Sequence, residues 1–89
     1  MEIKGIKTIE EMLKRNKGED AMVSISHKLY GEQKIKVKLD CIADESRIGV
    51  RVKNGQEIFV YKEDLVDYGT KDGIYFADDL MRISIKLNK

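Results

Sequence analysis

From residue 21 onward, apolar and polar residues alternate with a period of two. The run "AMVSISHKLY" (21–30) places Val23, Ile25, His27 and Leu29 on one face. The run "QKIKVKLDCIA" (33–43) places Ile35, Val37, Leu39 and Cys41 on one face and Lys34, Lys36 and Lys38 on the other. Gly31–Glu32 between them reads as a tight turn. "RIGVRVK" (47–53) buries Ile48, Val50 and Val52. "LMRISIKL" (80–87) points Met81, Ile83, Ile85 and Leu87 one way and Arg82, Ser84 and Lys86 the other. Alternation of this kind marks antiparallel sheet with one face wet. The last strand, long and near the terminus, reads as a sheet edge.

The period changes before Gly18. Ile6, Ile9, Met12 and Leu13 recur at helical spacing, and "TIEEMLKRNK" (8–17) predicts a short helix. Thr8 and Glu11 match a capping box, in which each side chain satisfies an orphan backbone N–H near the other. Lys14, Arg15 and Lys17 fall where the helix dipole favours cations. Gly18 supplies a left-handed stop. So short a helix is marginal alone, so its apolar stripe must pack on something, as a lid over one opening of the sheet.

The segment "RVKNGQEIFVYKEDLVDYG" (51–69) contains a hairpin whose register decides which side chains face out. A two-residue turn at Asn54–Gly55 pairs Val52 with Glu57 and turns Ile58 and Val60 toward water. A three-residue loop, Lys53–Asn54–Gly55 with Gly55 left-handed, pairs Val50 with Ile58, Ile48 with Val60 and Arg51 with Glu57. One residue of slip inverts a strand, and only the bulged loop keeps both aliphatic sets inside. It also turns Phe59 and Tyr61 outward. Phe59 then lies across from Gly49, which leaves room for a ring, and Tyr61 across from Arg47, within reach of a cation–π contact. Arg47, Gly49, Arg51, Phe59 and Tyr61 form an aromatic-basic patch, met by partners or covered by the helix. Downstream, Lys62–Glu63–Asp64 interrupts the strand with room for one helical turn over 62–66. "GTKDG" (69–73) is a turn, and Ile74–Phe76 a short strand before the last one.

The expected class is mainly β: a short N-terminal helix (8–17), then a five- to six-stranded antiparallel sheet, strongly bent or closed into a small barrel (21–87), in one domain over 1–89. Over residues 47–76 the order of apolar strand, acidic break, Leu65–Val66, turn and short strand resembles small barrels of the SH3, Sm and PRC types. The resemblance implies that "IFVYKEDLVDYG" bends at its acidic break and crosses between sheets. It stops at the fold, and no Asp/Asn-Gly pair here maps onto the signature by which Sm barrels hold RNA.

Composition narrows the function. The 89 residues are 42% hydrophobic and 37% charged, too apolar for a disordered chain and too charged for a membrane protein. The amphipathic start is unlike a signal peptide, and Cys41 is the sole cysteine, so the expected compartment is the cytoplasm. Seventeen basic and sixteen acidic residues leave a net +1, well short of a strongly basic nucleic-acid binder. Any binding face is therefore a local patch.

Chemistry is sparse. Cys41 sits on an apolar face with no metal-ligand spacing around it, and reads as an inert thiol. His27 reads as a core or rim histidine. No order of Cys41, His27 and Ser24, Ser26, Ser46 or Ser84 makes a nucleophile–base arrangement. The acidic pairs Asp44–Glu45, Glu63–Asp64 and Asp78–Asp79 lack calcium-loop spacing, and no glycine-rich loop opens a helix. The expectation is a non-enzymatic module with no cofactor and no metal. Protein–protein contact, self-association included, ranks first. Size and style are analogous to phage and mobile-element proteins that regulate or inhibit host machinery. The alternative is an Sm- or OB-like binder of RNA or single-stranded nucleic acid, with Lys34, Lys36, Lys38, Arg47 and Arg51 on phosphates and Phe59 or Tyr61 stacking. A third reading is an oligomeric sponge for a small nucleotide.

Overall fold

The computed structural model describes residues 3–52, 55–70 and 73–87. Lys53 and Asn54 of the expected hairpin loop, and Lys71 and Asp72 of the expected 69–73 turn, lie outside them. The chain forms α1 (Ile3–Arg15), β1 (Asp20–His27), β2 (Gly31–Lys38), β3 (Cys41–Ala43), β4 (Arg47–Arg51), β5 (Glu57–Tyr61), a 3-10 turn (Lys62–Asp64), β6 (Asp67–Gly69), β7 (Ile74–Ala77) and β8 (Met81–Leu87). One antiparallel sheet runs β2-β1-β8-β7-β6 and the other β3-β4-β5.

The two sheets are segments of one circuit. β2 runs into β3 through a bend at Leu39–Asp40, and β5 runs into β6 through the 3-10 turn. Counting each as one bent strand leaves six, and every neighbouring pair around the circuit is hydrogen-bonded. The acidic break at Lys62–Asp64 carries the chain from the three-stranded sheet to the five-stranded one. The mainly β, bent antiparallel class read from the alternation therefore holds. β8 is not an edge, however: it pairs with β1 on one side and β7 on the other. Closing the circuit on the first strand buries Ile83 and Ile85 fully and leaves β2 as the long edge.

One core joins the inner faces. Val23, Ile25, Phe76, Ile83 and Ile85 from one sheet meet Ile48, Val50 and Val60 from the other. The β4–β5 register pairs Val50 with Ile58, Ile48 with Val60 and Arg51 with Glu57, as the bulged loop requires, and Gly55 is left-handed at φ 75°.

The helix starts five residues earlier than the capping pattern predicts, so Thr8 lies inside it. Tertiary packing overrides that local signal. Ile9 and Leu13 are buried in the core, each burial contributing about 1.5–3 kcal/mol, and Tyr68 packs across Gly5, where an added Cβ would come within 2.7 Å of its ring. Lys62 is ion-paired with Glu10. The helix ends at Arg15, so Lys17 falls in the turn that follows rather than in the last helical turn. Gly18, at φ 88°, then donates to the Leu39 carbonyl at 2.8 Å. The helix thus covers the end of the barrel near β3 and β6.

A further correction concerns residues 28–31. β1 stops at His27, and Lys28–Tyr30 form a three-residue turn closed by the pair His27–Gly31. Gly31, at φ 85°, opens β2 instead of forming the turn itself. Leu29 therefore leaves the core face and is 71% exposed.

Candidate interaction site

The seven residues singled out from the sequence fall on two faces. Arg47, Arg51, Phe59 and Tyr61 stand on the outer face of the three-stranded sheet, with Phe59 opposite Gly49 and Tyr61 opposite Arg47. Lys34, Lys36 and Lys38 stand on the outer face of the five-stranded sheet, opposite Ser24, Met22 and Asp20. Both inner faces share one core, so these outer faces point away from each other, and no single ligand-sized site holds all seven.

On the first face Tyr61 is 48% exposed, whereas Phe59 is half-buried. Ile42, Gly49 and Phe59 form one row, and Ile42 is buried although it faces outward. The cation–π contact differs from the one expected: the Arg47 guanidinium lies over Phe59, 5.0 Å from the ring centre. Arg47 bonds Asp44 through Nε at 2.9 Å and reaches Glu57 at 3.4 Å. On β5 the outward residues run 57, 59, 61, so an arginine opposite Tyr61 must cross Phe59 to meet Glu57. Tyr61 packs edge-on to Phe59 instead.

Charge on this face is internally consumed. Arg51 bonds Glu57 at 3.1 Å and lies 3.6 Å from Asp40, so two guanidiniums share three carboxylates. The Asp44 carboxyl is lowered from 3.8 to about 2, by the Arg47 side-chain hydrogen bond and then by the Ser46 backbone N–H. Arg47 is raised, chiefly by its hydrogen bond to Asp44. A surface whose cations already have carboxylate partners has no surplus charge for phosphate.

The lysine face is different. Lys38 pairs with Asp20 at 2.7 Å, which raises its pKa. Lys34 and Lys36 form no ion pair among the described residues. Farther along this face Arg82 pairs with Asp67 and covers the Tyr75 ring at 4.3 Å.

A third surface was not singled out from the sequence. The barrel end away from the helix is an open groove of about 440 Å³, lined among others by Ile25, His27, Tyr30, Gln33, Ile58 and Met81. Its rim carries Leu29, 71% exposed, Tyr30, 84% exposed, and Leu80, 50% exposed. Lys28 N–H bonds the Leu80 carbonyl at 2.9 Å, which ties the two rim turns together. His27 is built into this rim: its Nδ1 accepts from Leu29 N–H at 3.0 Å and its ring lies 4.6 Å from Tyr30. The one signal in the sequence was Leu29–Tyr30–Gly31, two large apolar residues beside a turn glycine.

Cys41 faces the core beside Val50 but is only half-buried. Burial and then the Asp40 charge push its thiol up, which disfavours the thiolate. Among the described residues no three His, Cys, Asp or Glu side chains gather to hold a metal ion, and no helix is long and apolar enough to cross a membrane. The fold and surfaces define a small antiparallel barrel plugged at one end by a helix. Comparison with family models, with curated proteins and with solved structures finds no match to this chain.

Proposed function

We propose that this chain is a non-enzymatic, cytoplasmic protein-binding module whose contact surface is the open mouth of the barrel. The observation that carries the reading is the exposure of Leu29, Tyr30 and Leu80 around an apolar-walled groove. Large apolar side chains gathered at one exposed place, rimmed by polar residues, are a mark of protein interaction sites. Tyrosine in particular is enriched at interface centres, where an apolar ring and a polar tip are both used. A module that occludes a surface of another protein this way acts as a regulator or inhibitor. The neutralised Arg47–Arg51 face supports this ranking over phosphate recognition through that patch.

Two measurements test the reading. Native mass spectrometry of protein purified at low salt should give the bare chain or a whole multiple of it. Mass added in nucleotide-sized steps would overturn the ranking. A partner captured from the source cells, purified and titrated, should bind Leu29→Ser/Tyr30→Ser at least about tenfold more weakly, the scale of a lost interface anchor. Equal binding by a folded variant refutes the mouth as the contact surface.

A further inference from the structure

The long edge of β2 is built to receive another strand. Leu39 N–H donates to Glu19 O at 2.8 Å, toward β1, whereas the Asp40 carbonyl accepts from Arg51 N–H at 2.8 Å, toward β4. Backbone directions alternate along an antiparallel strand. Glu32, Lys34 and Lys36 therefore turn N–H and C=O to the side that β4 occupies at Asp40. β4 does not continue there. It ends at Arg51, and Val52 N–H bonds Gln56 O at 2.8 Å as the chain turns into the hairpin. Among the described residues β2 pairs with β1 alone.

Side chains along this edge are also unfinished. Ile35 and Val37 point to the core side but are only half-buried, as is Ile58 on the groove wall. Lys34 and Lys36 point outward, exposed and without an ion pair among the described residues. In an added strand, residues opposite the lysines share their face, at Cβ separations of about 4.5–5.5 Å. The residues between them fall against Ile35 and Val37.

We propose that the free edge of β2 accepts an extended segment of a partner protein in which acidic and apolar residues alternate. The proposal rests on the protein-binding reading above and adds the chemistry of the partner. A second copy of this chain is a weaker occupant. Residues of one parity face the edge, so β2 laid antiparallel on β2 about its centre sets Glu32 against Lys36 but also Lys34 against Lys34, and like charges directly opposite destabilise a pair. An acidic strand converts the same row from repulsion to attraction, and its backbone completes the ladder.

The test uses three probes on the full chain: a nine-residue peptide alternating glutamate and valine, the same composition arranged in blocks, and a single-stranded DNA oligonucleotide. Binding is read by amide NMR and hydrogen exchange. The alternating peptide should slow exchange at the Glu32, Lys34 and Lys36 amides. Lys34→Glu/Lys36→Glu should weaken it about tenfold, equivalent to about 1.4 kcal/mol. Both lysines are exposed, so the variant's amide spectrum should keep the native pattern. Equal binding by the block peptide, unchanged exchange at the three edge amides, or tighter binding of the oligonucleotide through the same lysines overturns the proposal. If the edge fails while the mouth variant still loses its captured partner, only this inference falls; if the mouth variant binds as well, the underlying reading falls too.

Discussion

Gly49→Ala is the sharpest probe of how the three-stranded sheet is built. A Cβ at this position would collide with the Ile58 carbonyl oxygen and lie 2.5 Å from both Cα and Cβ of Phe59. None of these atoms can move by changing a rotamer, so β4 and β5 must separate along a ladder of five residue pairs. Overpacking a core by a methylene costs about 1–3 kcal/mol, and a clash with backbone belongs at or above the top of that range. At about 3 kcal/mol the loss is a large share of the roughly 5–15 kcal/mol that holds a small domain folded. In a chain of this size it lowers Tm by roughly 12–24 °C, and the urea midpoint by about 1–3 M. Urea titration followed by circular dichroism measures it. Phe59→Ala keeps the Cα and Cβ that collide, so adding it to Gly49→Ala should rescue nothing. A Gly49→Ala unfolding free energy within about 0.5 kcal/mol of the parent's refutes the close approach, and rescue by Phe59→Ala would locate the clash in the ring instead.

Three further outcomes are expected. Gly55 is at φ 75° with no heavy atom within 4 Å of a built Cβ. Gly55→Val should therefore cost about 1–3 kcal/mol from backbone strain alone, and Gly55→Asn less, because asparagine tolerates the left-handed region; equal losses in thermal melts would contradict the bulged loop. Leu13 is fully buried, so Leu13→Ala should cost about 2–5 kcal/mol and speed amide exchange along α1, whereas unchanged exchange would mean that the helix does not depend on this anchor. In an NMR titration the Asp44 carboxyl should titrate near 2, and Arg47→Gln should move it back toward 3.8. Because the folded state favours the ionised form, the stability tied to Asp44 is present above about 3.8 and is lost as pH falls toward 2; an ordinary Asp44 titration in the parent protein breaks the assignment.

The alternation along residues 21–87 was sufficient for the β class, because burying one face of a strand dictates a period of two wherever it is paired. It also settled the β4–β5 register, since a slip by one residue would have put Ile58 and Val60 in water. The break at Lys62–Asp64 was legible for a similar reason: three charged residues cannot continue a half-buried strand. The helix stripe of Ile9, Met12 and Leu13 could be read locally, but its start could not. Packing of Gly5 against Tyr68, sixty-three positions away, outweighs the capping pattern at Thr8.

Tertiary structure alone decided which strand is the edge and which charges are free. Strand order depends on where the circuit closes, and closure joins β8 to β1 from opposite ends of the chain. Pairing with both β1 and β7 removed the last strand from the surface and opened β2. Arg47 and Lys36 look alike in the sequence, as cations on the wet face of a strand. In the fold Arg47 lies beside Asp44 and Glu57, while Lys36 has Met22 across from it. The difference comes from cross-strand neighbours, which no local pattern encodes. The apolar mouth was hidden for the same reason: Leu29 continues the alternation perfectly, and only the pairing of His27 with Gly31 takes it out of the core.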